Sequence, residues 1–264
     1  MSKRVFRYIA ITAIVLCFGI YFIHASTLMK RGQESEICSN IEVTVADSAK
    51  YGFVRASDIK QYLIESPNNY FGSRRANINL YLLEQEVNKF NAIKESSASI
   101  DRVGVLRVMV SQRKPLLRMQ TQQGALYSDE TGYIFSPTYS FAAYVPIITG
   151  EIPILYSDDI NTLMSDAERE WIGNIIRLVS HIEADHFLSA LIQQIDIEKG
   201  GNIALYPKVG DQKIVFGQPY NLDSKFGRLM AFYKHILPNR GAELYSEIDI
   251  SCNEQIICKK RNKK

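Results

Sequence analysis

The apolar residues are distributed in three different ways along this chain. Tyr8 to Met29 runs without Asp, Glu, Lys or Arg and, as one helix, extends about 33 Å against a hydrocarbon core of roughly 30 Å. That length predicts a transmembrane helix over residues 8–29. A cleaved leader has a shorter apolar stretch, and Phe22-Ile23-His24-Ala25-Ser26 is a poor small-x-small cleavage site. Lys3, Arg4 and Arg7 precede the span, so residues 1–7 are expected in the cytoplasm and everything beyond the membrane outside it.

After a polar connector over residues 30–36, the periods become those of a folded domain. Ile37 to Val45 ends in strand-like alternation, and Ile59, Tyr62 and Leu63 take helical spacing after Ser57, a candidate N-cap, with Ser66-Pro67 as the stop. Asn79 opens a second helix carrying Leu80, Leu83, Val87 and Phe90, and Ile93–Ile100 and Val103–Val110 read as two more strands. The order β-α-α-β-β suits a three-stranded sheet whose apolar face is covered by two helices. Arg113-Lys114-Pro115 interrupts the pattern, which sets the first domain at residues 37–113 and the second at 114–264.

In the second domain, Leu116–Gln120, Ala125–Ser128 and Tyr133–Phe135 surround Asp129-Glu130-Thr131-Gly132 and read as hairpins. Ser165-Asp166-Ala167-Glu168 is a capping box before a helix bearing Trp171, Ile172, Ile175, Ile176 and Val179. Leu191–Ile197, Ile203–Tyr206 and Lys213–Phe216 form a predicted β-meander with Gly200-Gly201 at a turn. Leu222–Leu237 is helical, with Phe226, Leu229, Met230 and Tyr233, and stops at Pro238-Asn239-Arg240-Gly241. Two closing strands, Glu243–Ser251 and Gln255–Lys260, flank Cys252-Asn253-Glu254. The predicted class is α+β: one transmembrane helix, a β-α-α-β-β domain, and a β-rich domain with flanking helices.

Charge narrows the function. The chain has 31 Lys+Arg and 28 Asp+Glu, and only Lys3, Arg4 and Arg7 of these fall before Lys30, so the portion outside the membrane is formally neutral. The single basic cluster is Lys259, Lys260, Arg261, Lys263 and Lys264 at the end, read as a solvated tail; no nucleic acid is expected as a partner. Of the 4 cysteines, Cys17 lies in the apolar span, leaving Cys38, Cys252 and Cys258. Cys252 and Cys258 have the option of a bridge, but small buried thiols are the expected state.

No phosphate-binding glycine loop, dinucleotide fingerprint, H-E-x-x-H or G-x-S-x-G element is present. His181 and His186 are five apart, the wrong spacing for one helical face, and read as a helix end and the cap of the next element. Asp158-Asp159 and the pair Asp196/Glu198 sit in turn or strand contexts. No catalytic residue, metal, cofactor or small-molecule substrate is expected, and a binding module working by strand addition is favoured over an enzyme.

These features together resemble the FtsQ/DivIB family of bacterial cell-division proteins. The first domain looks like that family's POTRA domain, through Asn79-Leu80 and Gly104-Val105-Leu106-Arg107-Val108 leading to Arg113-Lys114-Pro115. The likeness continues through Asp129-Glu130-Thr131-Gly132, Val145-Pro146-Ile147-Ile148-Thr149-Gly150, Ile195-Asp196-Ile197, Leu205-Tyr206-Pro207 and Val215-Phe216-Gly217, with Phe226 and Lys234 before the last strands. Where the family often has Asp-x-Arg-Tyr, this chain has Asp249-Ile250-Ser251-Cys252.

The resemblance implies a non-enzymatic scaffold of the division complex in the cytoplasmic membrane at the septum, with periplasmic domains that bind FtsB- and FtsL-type partners. It also implies that a partner strand adds beside the last strand, at Gln255, Ile256, Ile257, Cys258, Lys259 and Lys260, with Cys252 and Glu254 at its approach. The alternatives are a POTRA-bearing transport or outer-membrane assembly component, which would show repeated units or a series of barrel strands, and a membrane-tethered hydrolase, which would show a polar cleft.

Overall fold

A computed structural model describes residues 14–24, 37–137, 141–155, 157, 160–241, 244–252 and 254–261. Residues 14–24 form a helix, α1, on which Ile14, Val15, Leu16, Phe18, Ile20, Tyr21, Phe22 and Ile23 are all exposed. Among the described residues no helix is long and apolar enough to cross a membrane. The rest of the expected 8–29 span, residues 1–7 and the 30–36 connector lie outside the described residues. The chain divides into two compact units, Met1–Lys50 with Val54–Gln112, and Tyr51–Phe53 with Arg113–Lys264.

The first unit is built on a three-stranded sheet ordered β1 (Asn40–Val45), β3 (Val105–Gln112), β2 (Ile93–Ile100). β3 is the central strand and alternates strictly: Leu106, Val108, Val110 and Gln112 are buried while Arg107 and Met109 are exposed. β1 runs parallel to it, Ile41 opposite Leu106, and β2 antiparallel. A parallel neighbour needs a crossover, supplied here by α2 (Ala56–Glu65), α3 (Leu80–Val87) and β2. Ile59 and Leu63 on α2, and Leu83 and Val87 on α3, are four apart, so each pair lies on one face and is buried.

Two expected boundaries move. Asn79 caps α3, its side chain accepting from the Leu82 N–H at 3.1 Å. Ser57 does not cap α2: the N-cap is the extended Arg55, whose side chain makes no capping bond to the helix, and Ser57 lies in the first turn, where its hydroxyl donates to Asp58. β3 begins at Val105 and not at Val103, because Gly104 turns the chain with φ +80° and a Cβ there would stand 2.2 Å from the Ile37 carbonyl oxygen.

The second unit is a nine-stranded mixed sheet ordered β12-β11-β10-β9-β8-β7-β4-β5-β6. β4 (Leu117–Thr121), β5 (Gly124–Ser128) and β6 (Ile134–Phe135) are the expected hairpins, and β8 (Ile192–Ile197), β9 (Ile203–Pro207) and β10 (Lys213–Gly217) the expected antiparallel meander. Asp129 shapes the turn between β5 and β6: one carboxylate oxygen accepts from the Thr131 and Tyr133 N–H groups at 2.9 and 3.1 Å, the other from Arg113 at 2.8 Å. Phe53 is fully buried in this unit, its ring centroid 5.0 Å from those of Tyr127 and Phe141.

Three parallel pairings depart from a chain of hairpins. β7 (Ile147–Gly150) lies between β4 and β8, parallel to both, and β11 (Tyr245–Asp249) runs parallel to β10. β5 and β6 connect β4 to β7, whereas helices make the other two crossings: α4 (Ile160–Leu163), α5 (Asp166–Ala184) and α6 (His186–Leu191) from β7 to β8, and α7 (Leu222–Ala231), a π turn over Phe232–Ile236 and α8 (Leu237–Arg240) from β10 to β11. Ile172, Ile175, Leu178, Val179 and Ile182 of α5, with Phe226 and Leu229 of α7, join strand residues in the core. The capping box forms as expected, with Ser165 Oγ accepting from the Glu168 N–H and Glu168 Oε2 accepting from the Ser165 N–H at 2.7 Å. The helix expected over Leu222–Leu237 does not stop at Pro238. It widens into the π turn, and Pro238, which has no N–H to donate, occupies the first turn of α8.

Candidate functional site

β12 (Ile257–Lys260) is the last strand of the sheet and, among the described residues, is paired on one side only, antiparallel with β11. Its register sets Ile257 opposite Asp249, Cys258 opposite Ile248 and Lys259 opposite Glu247, with an irregularity before Lys260 meets Tyr245. Beyond the strand, the Arg261 N–H reaches the Leu244 carbonyl at 2.9 Å and its guanidinium lies 3.5 Å from Asp211. The side chains alternate as a strand demands: Ile256 and Cys258 pack against the core cluster, whereas Ile257 is 50% exposed and Lys259 is exposed. Burial pushes the Cys258 thiol above its ordinary pKa. Cys38, Cys252 and Cys258 are free; of the two expected as buried thiols, Cys258 is half-buried and Cys252 is exposed, whereas Cys38 is buried.

The strand expected from Gln255 begins at Ile257. Glu254 adopts φ +64°, an uncommon conformation for a side-chain-bearing residue, and the chain bends there, so pairing starts only at Ile257. Asn253 lies outside the described residues.

The approach to β12 is held from beneath by α7, a role no motif announces. Arg228 donates to the carbonyls of Ile250 and Cys252 at 2.9 and 2.8 Å. Asp249 Oδ1 accepts from the Ser251 N–H at 2.8 Å and the Ser251 hydroxyl at 2.6 Å. Gly217, with φ +73°, lets Ser251 come close, since a Cβ at that glycine would stand 2.9 Å from the serine's own. Lys225, 1% exposed, donates to the carbonyls of Phe216 and Gln218 at 3.0 and 2.7 Å, and its ammonium lies over the Phe216 and Tyr220 rings. Burial, then the positive charge of Arg228, lowers its pKa. The available sequence signal was a lysine breaking the apolar face of α7 beside Phe226.

The other end of the sheet is closed. Beside β6, Asn161 accepts from the Ile134 N–H at 2.8 Å and donates to the Ile134 carbonyl at 2.7 Å, so one side-chain amide occupies the donor and acceptor a neighbouring strand would use. β12 has no such cover among the described residues.

The residues weighed for chemistry do not converge. Asp196 accepts from Thr149, while Glu198 pairs with Lys213. The His181 ring stacks on Phe226 at 5.1 Å, and His186 opens α6 behind Asp185, whose carboxylate accepts from the Phe187 and Leu188 N–H groups. Among the described residues no group of His, Cys, Asp and Glu could hold a metal ion, and Asp158-Asp159 lie outside them. A cavity of about 430 Å³ in the second unit has Arg118, Glu183 and Lys208 as its charged lining, with no histidine or cysteine.

Comparison with known families gives two matches that follow the two units. The model of the FtsQ/DivIB C-terminal related family matches residues 114–259, and that of the POTRA-like domain matches residues 36–111. No curated protein matches the chain.

Proposed function

The chain belongs to the FtsQ/DivIB family, and from that membership we propose that it is a non-enzymatic, membrane-anchored scaffold of the bacterial division complex that captures an extended segment of an FtsB- or FtsL-type partner beside β12. The observation that carries this reading is the asymmetry of the large sheet: β6 is closed by Asn161, while β12, among the described residues, is paired on one side only. An unpaired strand edge offers N–H and C=O groups to another chain, and proteins that do not use an edge usually cover it. Cys252, Glu254 and Gln255 form the approach, and Ile256 to Lys260 the surface itself. The POTRA-like unit, matched over residues 36–111, serves as a second docking body.

The anchor is residues 8–29, with residues 1–7 in the cytoplasm, the folded units in the periplasm, and the protein at the septum. The exposure of every large apolar side chain on α1 supports this, since a helix apolar all round has no stable place in water.

Proline substitution tests the docking edge. The Arg261 N–H turns to the Leu244 carbonyl, so Ile257 and Lys259, in step with it, bond to β11 and the N–H groups of Cys258 and Lys260 face the open edge. Cys258→Pro removes one of these outward donors and should lower partner capture by about tenfold or more. Lys259→Ala keeps the backbone and should lower it by less than about fivefold. Circular dichroism and thermal unfolding of each variant separate lost pairing from lost folding. Normal capture by a folded chain ending at Cys252 would overturn the proposal.

A further inference from the structure

Charged residues form a row across the last strands. On the solvent side, Lys213 of β10 stands opposite Glu247 of β11, and Glu247 stands opposite Lys259 of β12. Lys213 is also paired with Glu198, which favours its charged form and raises its pKa. The signs therefore alternate, negative, positive, negative, positive, from Glu198 to the sheet edge. Lys259 ends the row with an acidic residue on its inner side and, among the described residues, no ion pair. In the adjacent row Asp249 stands opposite Ile257, which leaves half of that isoleucine exposed at the same edge. Ile257 and Lys259 are thus the two β12 side chains that a strand added at this edge would meet on the solvent face.

The geometry points to a partner segment with an acidic side chain opposite Lys259 and, two positions away, an apolar or aromatic side chain opposite Ile257. This rests on the reading of β12 as the docking edge and adds to it a rule for which segments dock. Opposite charges directly across an antiparallel or parallel pair stabilise it modestly, and like charges destabilise it. Removing the ammonium costs little affinity, because the backbone ladder remains. Reversing its sign sets the variant's carboxylate against the partner's, so Lys259 acts chiefly by rejecting segments with a cation at that position and favouring those with an anion.

The test uses the full chain in detergent and a displayed library of short, alternating strand segments in which one outward position takes every residue. Four forms are compared: wild type, Lys259→Glu, Lys259→Glu combined with Glu247→Gln, and Cys258→Pro, which removes an outward-facing backbone donor. The double variant removes the carboxylate that would repel the new one within the domain, so any change in preference comes from the partner side. Wild type should enrich Asp or Glu at the varied position, two residues from Ile, Val, Phe or Tyr. Both charge-reversed forms should enrich Lys or Arg there instead, and each should bind the acidic segments about tenfold more weakly than wild type. Unchanged enrichment in the charge-reversed forms, with capture lost in Cys258→Pro, would overturn the charge rule and leave the docking edge standing. No enrichment by wild type, or the same segments captured by Cys258→Pro, would overturn the docking edge itself.

Discussion

Lys225 carries a charge into a place where the residues around it are apolar. Its ammonium finds the carbonyls of Phe216 and Gln218 but, among the described residues, no carboxylate within ion-pair distance, and burial lowers its pKa below the ordinary 10.5. The native state therefore releases this proton before the unfolded chain does as pH rises. Where the unfolded state binds more protons, unfolding free energy increases with pH. The contribution is constant while both states are protonated and becomes more favourable as pH climbs through the folded pKa towards 10.5. Urea denaturation of wild type and Lys225→Met should show wild type gaining on the variant on the alkaline side. A difference that stays flat or shrinks there would contradict the burial of the charge. Asp129 was legible as a turn residue because Asp-Glu-Thr-Gly is turn chemistry, and the structure adds its bond to Arg113. Lys225 and Arg228 were not, because their partners are backbone carbonyls distant in sequence, and no local pattern encodes that.

At the scale of elements, periodicity was informative wherever one face of a strand or helix meets water. β3, α5 and the meander alternate or repeat cleanly and were readable. β7 was missed as a strand because Ile147-Ile148-Thr149-Gly150 is short and lies between two parallel strands, so its residues need not alternate. The parallel joints were missed with it, since a run of strands with turns between them reads as antiparallel. The open edge at β12 was readable only as the end of the strand series, and the closure of β6 not at all, because Asn161 acts from 27 residues away in the chain. That closure is testable. Asn161→Ala leaves the Ile134 N–H and carbonyl without their partner, which should cost about 1–3 kcal/mol. It also opens a second edge, so light scattering should show association at concentrations where wild type does not associate. A variant that loses neither stability nor its state of association would show that the asparagine is not what closes this edge.

For the whole molecule, the uncharged 8–29 run, the two units and the family match fit a chain tethered near its beginning with its folded parts on one side of a membrane. Protease added outside spheroplasts should digest the folded units and leave a short fragment ending near Lys30, and full protection of the units would reverse the orientation. Strand addition at the other end of the chain is read at the backbone itself by amide hydrogen exchange. With the periplasmic segment of an FtsB-type partner bound, amides within Ile257–Lys260 should exchange more slowly than in the free chain, while those of β6 are unchanged. Saturating binding that leaves every β12 amide exchanging at its free rate would contradict strand addition at this edge.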